Sequence, residues 1–595
     1  MSLSFAIRVS SAGSRALADQ GLALPASCGA ISCTLYLPLI VKSLTPQFEV
    51  TQAVQQPNNS ILLIANRTAY VRWTLTSSTA YTNVNAYLYG TSNGAPLPGS
   101  PIAAINNPLT LKSSANRAAF NDTFNFNLPP AWTLGTVVLS AQASNPTGYS
   151  VATDGATFQF ANANPMQVTI VPINYICTTG VVGHSTIPAD SPYTYLTDYT
   201  YRIYPVPSIP TTLHAAMTYH GPCNSLGVPT PSASDWNRSM LDGVTTVWGN
   251  DGDPNSYYYG LLHLDCGSGC TAGVGWIGGS KAAVGWDGWN ASHSQASQTH
   301  AHEVGHNHGR FHAPGPPSCE QATGIDSSYP YYQGQIGDTR HQNYGFDTKF
   351  LTIFPYSSTY DIMDYCNTQW VSDYTYTALY AYDNPGHSAV SNHSVSDRAL
   401  LISGSIDPSS GQAAFRPAYA LNAPARWPDP GDHTLELIDA NDRVMATYSF
   451  APIHAQTERV PAGEGSESIG FHLSVPYIDG VAAIRIRQNG TMLGELRASP
   501  QAPTLSIKSA TFDARTQAKR ISWSGSDPAG ASLHYLVRAS IDRGTTWQTM
   551  GVDLTTPTID LSPNDFAHQP VLIQVLASNG LRTTTLQVGP YSIQP

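Results

Sequence analysis

Short runs in which apolar and polar residues alternate dominate the first part of the chain. Between positions 48 and 160, stretches such as Thr68-Ala-Tyr-Val-Arg-Trp-Thr-Leu and Val84-Asn-Ala-Tyr-Leu-Tyr are separated by turn residues. In a strand, side chains alternate between the two faces, so a pattern with a period of two residues places one face against a core and the other in water. The pattern therefore predicts an antiparallel β-sandwich over residues 47–165.

The same period returns after Pro385. His433-Thr-Leu-Glu-Leu-Ile and Val481-Ala-Ala-Ile-Arg-Ile-Arg predict a second sandwich over residues 386–500. Lys519-Arg-Ile-Ser-Trp-Ser and Val571-Leu-Ile-Gln-Val-Leu-Ala-Ser predict a last one over residues 501–595. Strands of this length and spacing are typical of a fibronectin type III or immunoglobulin-like module.

Residues 166–385 have a different composition, richer in Tyr, Trp, His and Gly. Gln167-Val-Thr-Ile-Val-Pro-Ile predicts a strand near the start of this region. The first part of the segment 294–312 contains neither proline nor a β-branched run, which predicts a helix. We therefore expect a multidomain protein in which a mixed α+β region is flanked by all-β sandwiches.

Composition and charge narrow the function. The chain has 595 residues, too many for one hydrophobic core, and its 28 Lys and Arg against 39 Asp and Glu give a formal charge of -11 without long acidic or basic runs. Phosphate binding needs clustered positive charge, so we expect no nucleic-acid partner. Eight cysteines, an even number, favour an oxidising compartment and hence a secreted or cell-surface protein.

The N-terminal residues 1–46 are expected to be a leader, a pro-segment or a linker. The first twenty positions contain Arg8, Arg15 and Asp19 and lack the apolar core of a secretory signal. Residues 22–41 are uncharged and about long enough to cross a bilayer, but two prolines and a glycine interrupt them. We therefore expect no membrane anchor, and the alternative is that residues 22–41 form one. The sequence does not indicate an oligomeric state.

The most informative segment is the predicted helix and the residues that follow it. His302 and His306 are one helical turn apart, so both imidazoles face the same side and can bind one ion. Gly309 can end the helix and turn the chain back, which lets His312 supply a third nitrogen. Three protein ligands leave zinc a position for water, as in catalytic sites.

Glu303 is adjacent to a predicted ligand but lies at a different angle around the helix. Its carboxylate can therefore face a water molecule instead of the metal. We expect Glu303 to take a proton from that water and pass it to the leaving amine. The alternative is a histidine-rich, solvated helix without a metal.

The pattern His-Glu-x-x-His-x-x-Gly-x-x-His from His302 to His312 resembles the signature of the metzincin zinc proteases. The resemblance covers residues 166–385 and implies an α+β protease domain with one zinc ion. It also implies a methionine turn beneath the metal, for which Met363 is suitably placed. Tyr365 matches the tyrosine of astacin-like and serralysin-like branches, which can touch zinc and stabilise an oxyanion, although a packing role is the alternative. Secreted bacterial gametolysin-like or mucin-cleaving enzymes are the most similar branches.

The resemblance further implies that an edge strand before the helix holds the substrate backbone by adding it to the sheet. Gly275, Trp276 and Ile277 lie in such a predicted strand and are candidate substrate-binding residues. The alternative is an ordinary core strand with glycines at bulges.

The cysteines suggest disulfides without fixing their pairing. Cys177 with Cys223, Cys266 with Cys270, and Cys319 with Cys366 are candidate pairs. Cys28 and Cys33 are expected to bond to each other, and the alternative is that one of them caps the zinc. The segment 251–255 is similar to the start of a calcium loop, but later positions of that loop do not match, so a calcium site is unsupported.

The sequence thus predicts a secreted zinc endopeptidase that acts on proteins or glycoproteins. The competing hypothesis is a surface adhesin or glycan-binding protein whose protease-like domain is inactive. The sequence does not indicate which bond is cleaved.

Overall fold

The protein is mostly β, multidomain, and has few helices. The structure, a computed structural model, describes residues 4–9, 33–38, 43–44, 47–178, 184–185, 193–232, 234–251, 253, 255–264, 270–288, 293–319, 324–385, 398–423, 425, 428, 430–460, 467–513, 518–567 and 569–593. The chain divides into two compact units, Met1–Phe48 with Tyr70–Gln159 and Glu49–Ala69 with Phe160–Pro595. The sequence predicted more domains than these two units, and its boundaries after residues 46, 165, 385 and 500 stay predictions. Most of the predicted N-terminal leader lies outside the described residues.

Antiparallel pairing dominates the first unit. Tyr70–Trp73 pairs with Phe124–Asn127, and Asn85–Ser92 lies between Ile102–Ala103 and Gly135–Ser144. Alternate residues of Gly135–Ser144 are buried, which agrees with the period of two in the sequence. The other short elements in or at the border of this unit are Ser4–Val9, Cys33–Pro38, Ser43–Leu44, Phe48–Thr51, Ala95–Pro96, Ser150–Thr153, Ala156–Ala161 and the 3₁₀ turns Phe120–Asp122 and Pro130–Trp132.

A central sheet of the second unit positions the candidate site. Its strands are β1 (Val168–Cys177), β2 (Met217–Gly221), β3 (Tyr257–Leu262), β4 (Cys270–Ile277) and β5 (Ala282–Trp286). They lie in the order β2-β1-β3-β5-β4. All neighbours are parallel except β4, which runs antiparallel to β5.

Helices cover both faces of this sheet, as a mainly parallel sheet requires. They are α1 (Thr194–Ile203), α2 (Leu241–Asp251), α3 (His293–Asn307) and α4 (Asp373–Asp383), with a π-helical turn Asp235–Met240 leading into α2. All six residues of β3 are buried. Tyr257, Tyr259 and Leu261 share a core with α1, α3 and α4, whereas Tyr258 and Leu262 share the opposite core with α2.

The sheet continues beyond both ends of the five central strands. At one end β4 pairs antiparallel with β7 (Ile453–Val460), which is followed in order by β8 (Glu467–Pro476) and β6 (Ala399–Ile406). At the other end β2 pairs with β10 (Gln548–Leu554), and the order continues through β9 (His534–Ser540), β11 (Val571–Ser578) and β12 (Thr583–Tyr591). Strands from late in the chain therefore border both sides of the central sheet.

Smaller sheets and turns complete the second unit. Their bounds are Val54–Gln55, Leu63–Ile64, His184–Ser185, Thr211–Leu213, Tyr344–Phe346, Ile353–Pro355, Tyr360–Asp361, Gln369–Trp370, Ala413–Phe415, Tyr419–Leu421, His433–Ile438, Val444–Phe450, Ala483–Gln488, Thr491–Arg497, Thr504–Asp513, Ala518–Ser526 and Thr558–Leu561, with 3₁₀ turns at Tyr332–Gly334 and Pro563–Phe566. Within the described ranges, none of the helices has the length and apolarity needed to cross a bilayer.

Two of the predicted disulfides are present. Cys177 bonds to Cys223, and Cys319 bonds to Cys366. Disulfides of this kind are typical of oxidising compartments. The predicted Cys28–Cys33 and Cys266–Cys270 pairs involve side chains outside the described part of the chain.

Candidate metal centre

The helix α3 places two of the predicted ligands on one face. His302 and His306 are one turn apart, and their ring centroids lie 4.9 Å from each other. Gly309 follows with φ +74°, a conformation that suits glycine, and its N–H donates to the carbonyl of His306 at 2.7 Å. The chain then turns back, and His312 comes to lie 4.7 Å from His306 between ring centroids. The predicted turn at Gly309 is confirmed.

The three imidazoles form a compact, buried group. Their candidate ligand atoms all lie within 4.8 Å of one another. The Nε2 atoms of His302 and His312 are 3.2 Å apart, and each of the three residues is 1% exposed. The structure thus brings together all three histidines that the sequence proposed as ligands.

Backbone carbonyls set the orientation of two ligand rings. Nδ1 of His302 donates to the carbonyl of Ile362 at 2.8 Å, and Nδ1 of His306 donates to that of Arg310 at 2.7 Å. A carbonyl can only accept, so the proton of each neutral ring must be on Nδ1. The Nε2 lone pair is then left for the centre of the group, which is the arrangement common among metal-ligating histidines.

Burial keeps these rings neutral. It lowers the pKa of His302 to about 4, an effect that the Ile362 carbonyl partly opposes. Burial lowers the pKa of His306 well below its ordinary value, and the neighbouring His312 and His302 lower it further. Neutral imidazole is the form that binds a metal.

The group fits a zinc ion. Nε2 of His306 is buried and has no hydrogen-bond partner among the described residues, so a ligand would satisfy it. Two nitrogens on a tetrahedral zinc ion are separated by roughly 3.3 Å, close to the 3.2 Å found between His302 and His312. Three nitrogen ligands are also a donor set that zinc prefers. A buried histidine triad that could hold a metal ion is therefore present.

Glu303 is a residue of α3; its side chain lies against β4 and is completely buried. A Cβ atom added to Gly273 would lie 2.5 Å from Oε1 of Glu303, and one added to Gly275 would lie 2.5 Å from the Glu303 carbonyl oxygen. Both distances are shorter than real Cβ contacts. The glycines of β4 therefore allow the strand to pass directly over this glutamate.

The predicted methionine turn lies beneath α3. The sulfur of Met363 would be 2.7 Å from a Cβ at Gly305, the helix residue that precedes His306. The turn is fixed by two hydrogen bonds, in which Met363 N–H donates to Asp361 and Ala313 N–H donates to the Met363 carbonyl, each at 2.9 Å. Met363 is thus tied to the segment that carries His312.

Tyr365 reaches the ligand group. Its hydroxyl lies 2.8 Å from Nε2 of His312, and its ring stacks on that of His302 with centroids 5.5 Å apart. The residue is half-buried. Its position suits a group that acts beside a metal, but its catalytic role stays a prediction.

The predicted substrate edge is not open in this structure. Gly275, Trp276 and Ile277 lie in β4, which is paired with β5 on one side and with β7 on the other. The Trp276 indole lies in the core shared with α2 and donates to the hydroxyl of Thr245 at 2.8 Å. The expectation of an open edge is therefore wrong for this arrangement, because β7 occupies it, and a substrate role for the three residues stays a prediction.

Sequence reasoning missed several residues that hold the site in place. Asn307 donates from its side-chain amide to the carbonyls of Trp276 and Ala282, both at 2.9 Å, and so joins α3 to β4 and β5. Asp326 accepts from Arg310 at 3.1 Å and donates its N–H to the His312 carbonyl at 2.8 Å. A polar Asn directly after a predicted ligand was an available signal, whereas nothing local in the sequence connects Asp326 to the histidines.

Comparisons with known proteins leave the family open. No protein-family model matches the chain, and no curated protein matches it. Among solved structures, the crystal structure of chicken CNTN1 FN1-FN3 domains aligns with 91% of this chain and 97% of that chain, at 6% sequence identity and a TM-score of 0.13. A likeness of that size carries no argument about this protein.

Proposed function

We propose that the protein is a zinc-dependent endopeptidase of the metzincin type. One observation carries the proposal: three buried imidazoles have candidate ligand atoms within 4.8 Å of one another, and the carboxylate of Glu303 belongs to the same turn of helix as His302. Catalytic zinc sites typically have three protein ligands, whereas structural sites have four. The described residues supply three candidate protein ligands.

The reaction we propose is hydrolysis of a peptide bond. Zinc held by His302, His306 and His312 would supply Lewis acidity and would lower the pKa of a water molecule. The Glu303 carboxylate takes a proton from the attacking water and delivers it to the leaving amine. The Tyr365 hydroxyl donates a hydrogen bond to the oxygen on which negative charge develops. Arg310 and Ile362 hold the ligand rings through their carbonyls.

Substitution of Glu303 tests the proposal. Glu303→Gln keeps the shape and removes the proton acceptor, so casein cleavage should fall at least about a hundredfold while bound zinc stays at one ion per chain. The two measurements are release of casein fragments and metal analysis of the purified protein. A chelator should abolish cleavage by the wild type, and added zinc should restore it.

Glu436→Gln is the matched control. Glu436 pairs with Arg487 at 3.1 Å on a strand of the C-terminal part of the chain, and its substitution should leave cleavage unchanged. Wild-type cleavage by Glu303→Gln would contradict the assigned role of Glu303.

The burial of the site favours a second candidate. His302, His306, His312 and Glu303 are each at most 1% exposed, and such a site could stabilise the fold of an adhesin or glycan-binding protein without turning over a substrate. Bound zinc without chelator-sensitive cleavage of any protein or glycoprotein would support this alternative.

The setting we propose is extracellular. The two disulfides support it, because such bonds persist in oxidising compartments. The proposed substrates are proteins or glycoproteins.

A further inference from the structure

Two stretches of chain outside α3 complete the candidate metal centre. Residues 312–319 supply the third candidate ligand, His312, and residues 361–366 supply Tyr365. The side chains meet at the site, where the Tyr365 hydroxyl lies 2.8 Å from Nε2 of His312. The position of the third ligand relative to Tyr365 therefore depends on how these two stretches are held together.

The stretch 313–319 offers few backbone donors. Three of its seven residues are prolines, at positions 314, 316 and 317, and proline has no N–H. His312 itself pairs with residues 324–326, which do not carry Tyr365. Between the two stretches, the Ala313 N–H donates to the Met363 carbonyl at 2.9 Å. The backbone therefore does little to join them.

The Cys319–Cys366 disulfide joins the two stretches covalently. Cys366 directly follows Tyr365 and is 1% exposed, and its N–H donates to the carboxylate of Asp364 at 2.7 Å. Gly315 of the other stretch lies against the same carboxylate, since a Cβ atom added to it would be 3.0 Å from both Asp364 oxygens. The disulfide thus secures a packed contact between the two stretches.

We propose that the Cys319–Cys366 disulfide completes the zinc site, so that zinc affinity and peptide cleavage depend on its oxidation state. With the bond formed, His312 and Tyr365 are held beside each other. With two thiols, the third ligand is less well fixed, and zinc affinity and cleavage both fall. The effect on cleavage rests on the proposed peptidase function and adds its regulation, whereas the effect on zinc affinity does not need that function.

The two states interconvert by thiol–disulfide exchange with a dithiol. One thiolate of the dithiol attacks a sulfur of the bond and releases the first cysteine, and the second thiolate then attacks the mixed disulfide and releases the other. The dithiol loses two electrons and two protons and becomes a disulfide, while Cys319 and Cys366 become thiols. Cell interiors keep thiols reduced, whereas secreted proteins keep their disulfides. The protein would therefore acquire its complete site only after export.

The second described disulfide gives a matched comparison. Cys177 and Cys223 are 46 residues apart in sequence, and Cys319 and Cys366 are 47 apart. In the loop-entropy model, loss of either bond therefore lowers the free energy of unfolding by nearly the same amount. Cys177 ends β1, where its backbone pairs with β2. Cys223 packs against the core shared with α2, whereas α3 belongs to the opposite core.

Two double substitutions in the full-length protein test the proposal. Cys319→Ala with Cys366→Ala removes the bond at the site, and Cys177→Ala with Cys223→Ala removes the comparison bond. Zinc affinity is measured by competition with a chromophoric chelator, and alanine is used because free thiols bind zinc themselves. The first protein should bind zinc at least about tenfold more weakly than the wild type, and should cleave a quenched fluorescent peptide at least about tenfold more slowly. The second should match the wild type in both measurements, although both variants should melt at similarly lowered temperatures.

The outcomes separate the disulfide from the function. Equal zinc affinities of the two double variants would overturn the proposal and leave the peptidase function standing. Absence of cleavage by every protein, the zinc-loaded wild type included, would overturn the peptidase function and with it the regulation of cleavage. The zinc affinities would then still decide whether the disulfide completes the metal site.

A titration of the wild type gives a test that does not depend on the folding of a variant. The protein, with one zinc ion per chain, is equilibrated in graded mixtures of reduced and oxidised glutathione, and mass spectrometry of alkylated peptides gives the fraction of each disulfide. After removal of glutathione, peptide cleavage should rise in proportion to the fraction of the Cys319–Cys366 bond. Cleavage that follows the Cys177–Cys223 bond instead, or neither bond, would contradict the proposal.

Discussion

At the scale of single residues, the ligand group depends on a short chain of hydrogen bonds that starts outside it. His306 is oriented by the carbonyl of Arg310, the guanidinium of Arg310 donates to Asp326 at 3.1 Å, and the N–H of Asp326 donates to the His312 carbonyl at 2.8 Å. Tyr374 also donates to Asp326, at 2.9 Å. Asp326 therefore connects the second and third ligands and is a positioning residue.

Asp326→Asn should weaken zinc binding. In Asp326 one carboxylate oxygen accepts from Arg310 and Tyr374 while the other accepts from the Ser328 N–H. An amide offers only one acceptor oxygen, so the variant must lose one of these sets of hydrogen bonds, and the Arg310 carbonyl and the segment after His312 become less well fixed. Loss of such a supporting contact typically costs about 10- to 100-fold in metal affinity. Competition with a chromophoric chelator measures this directly, without any assay of cleavage.

Asp338→Asn is the control for this prediction. Asp338 accepts backbone N–H groups of Arg340 and His341 in an exposed turn and takes no part in the hydrogen bonds that orient His302, His306 and His312. Its substitution should leave zinc affinity unchanged. Equal affinities of the Asp326 variant and the wild type would refute the positioning role.

At the scale of elements, the close approach of β4 to α3 is what places Glu303. Gly275→Ala would put a methyl group 2.5 Å from the Glu303 carbonyl oxygen, which is backbone and cannot move aside easily. Overpacking of this kind costs about 1–3 kcal/mol. Denaturant unfolding should show that loss, and cleavage should fall because the helix that carries Glu303 is displaced.

Gly243→Ala is a suitable comparison. Gly243 lies in α2, and the nearest atoms to its hypothetical Cβ are the flexible end of Met217 at 3.1 Å. In a helix, alanine is more favourable than glycine by about 1 kcal/mol. The free energy of unfolding should therefore be unchanged or slightly higher. A Gly275 variant as stable as this one would show that β4 and α3 are not tightly packed.

The elements also show how far the sequence could predict the site. His302, His306 and His312 were predictable because the period of a helix and one glycine place all three, and both are local properties. The turn at Met363 was predictable only from a resemblance. The pairing of β4 with β7 was not predictable, because Gly275 and Gln456 are far apart in sequence and the alternation of β7 is the same whichever strand it joins.

At the scale of the whole molecule, hydrogen bonds of Asp251 connect the last part of the chain to the central region. Asp251, the last residue of α2, contacts His214 and accepts from the hydroxyl of Thr549 at 3.0 Å. Burial opposes the charged form of His214, but Asp251 outweighs it and the pKa of His214 is raised. Burial raises the pKa of nearby Asp565 to about 6, although His214 and the Ala216 N–H oppose this.

The raised pKa of Asp565 predicts a pH effect on stability. The folded state binds a proton more tightly than the unfolded state, whose carboxyl has its ordinary pKa of 3.8. The free energy of unfolding should therefore fall as pH rises from about 4 to about 6. Asp565→Asn removes this dependence, so its melting temperature relative to the wild type should be higher at pH 7 than at pH 4.5.

Asp542→Asn serves as the control. Hydrogen bonds from Thr546 lower the pKa of Asp542 to about 2, so its contribution is lost only as pH falls below its ordinary value. The difference between this variant and the wild type should be the same at pH 4.5 and pH 7. A similarly constant difference for Asp565→Asn would contradict the linkage.

The pairing of β2 with β10 and of β4 with β7 has a consequence for how the chain can be divided. A fragment of residues 166–385 would lack both outer neighbours, so backbone groups would be exposed along the edge of β4 that pairs with β7 and at Thr218 of β2, which pairs with Gly551 of β10. Exposed strand edges of this kind can pair with the same edge of another copy of the protein, and folded proteins usually cover them. We therefore expect a fragment of residues 166–385 to associate with itself more readily than the full chain, because it lacks the late strands that cover these edges.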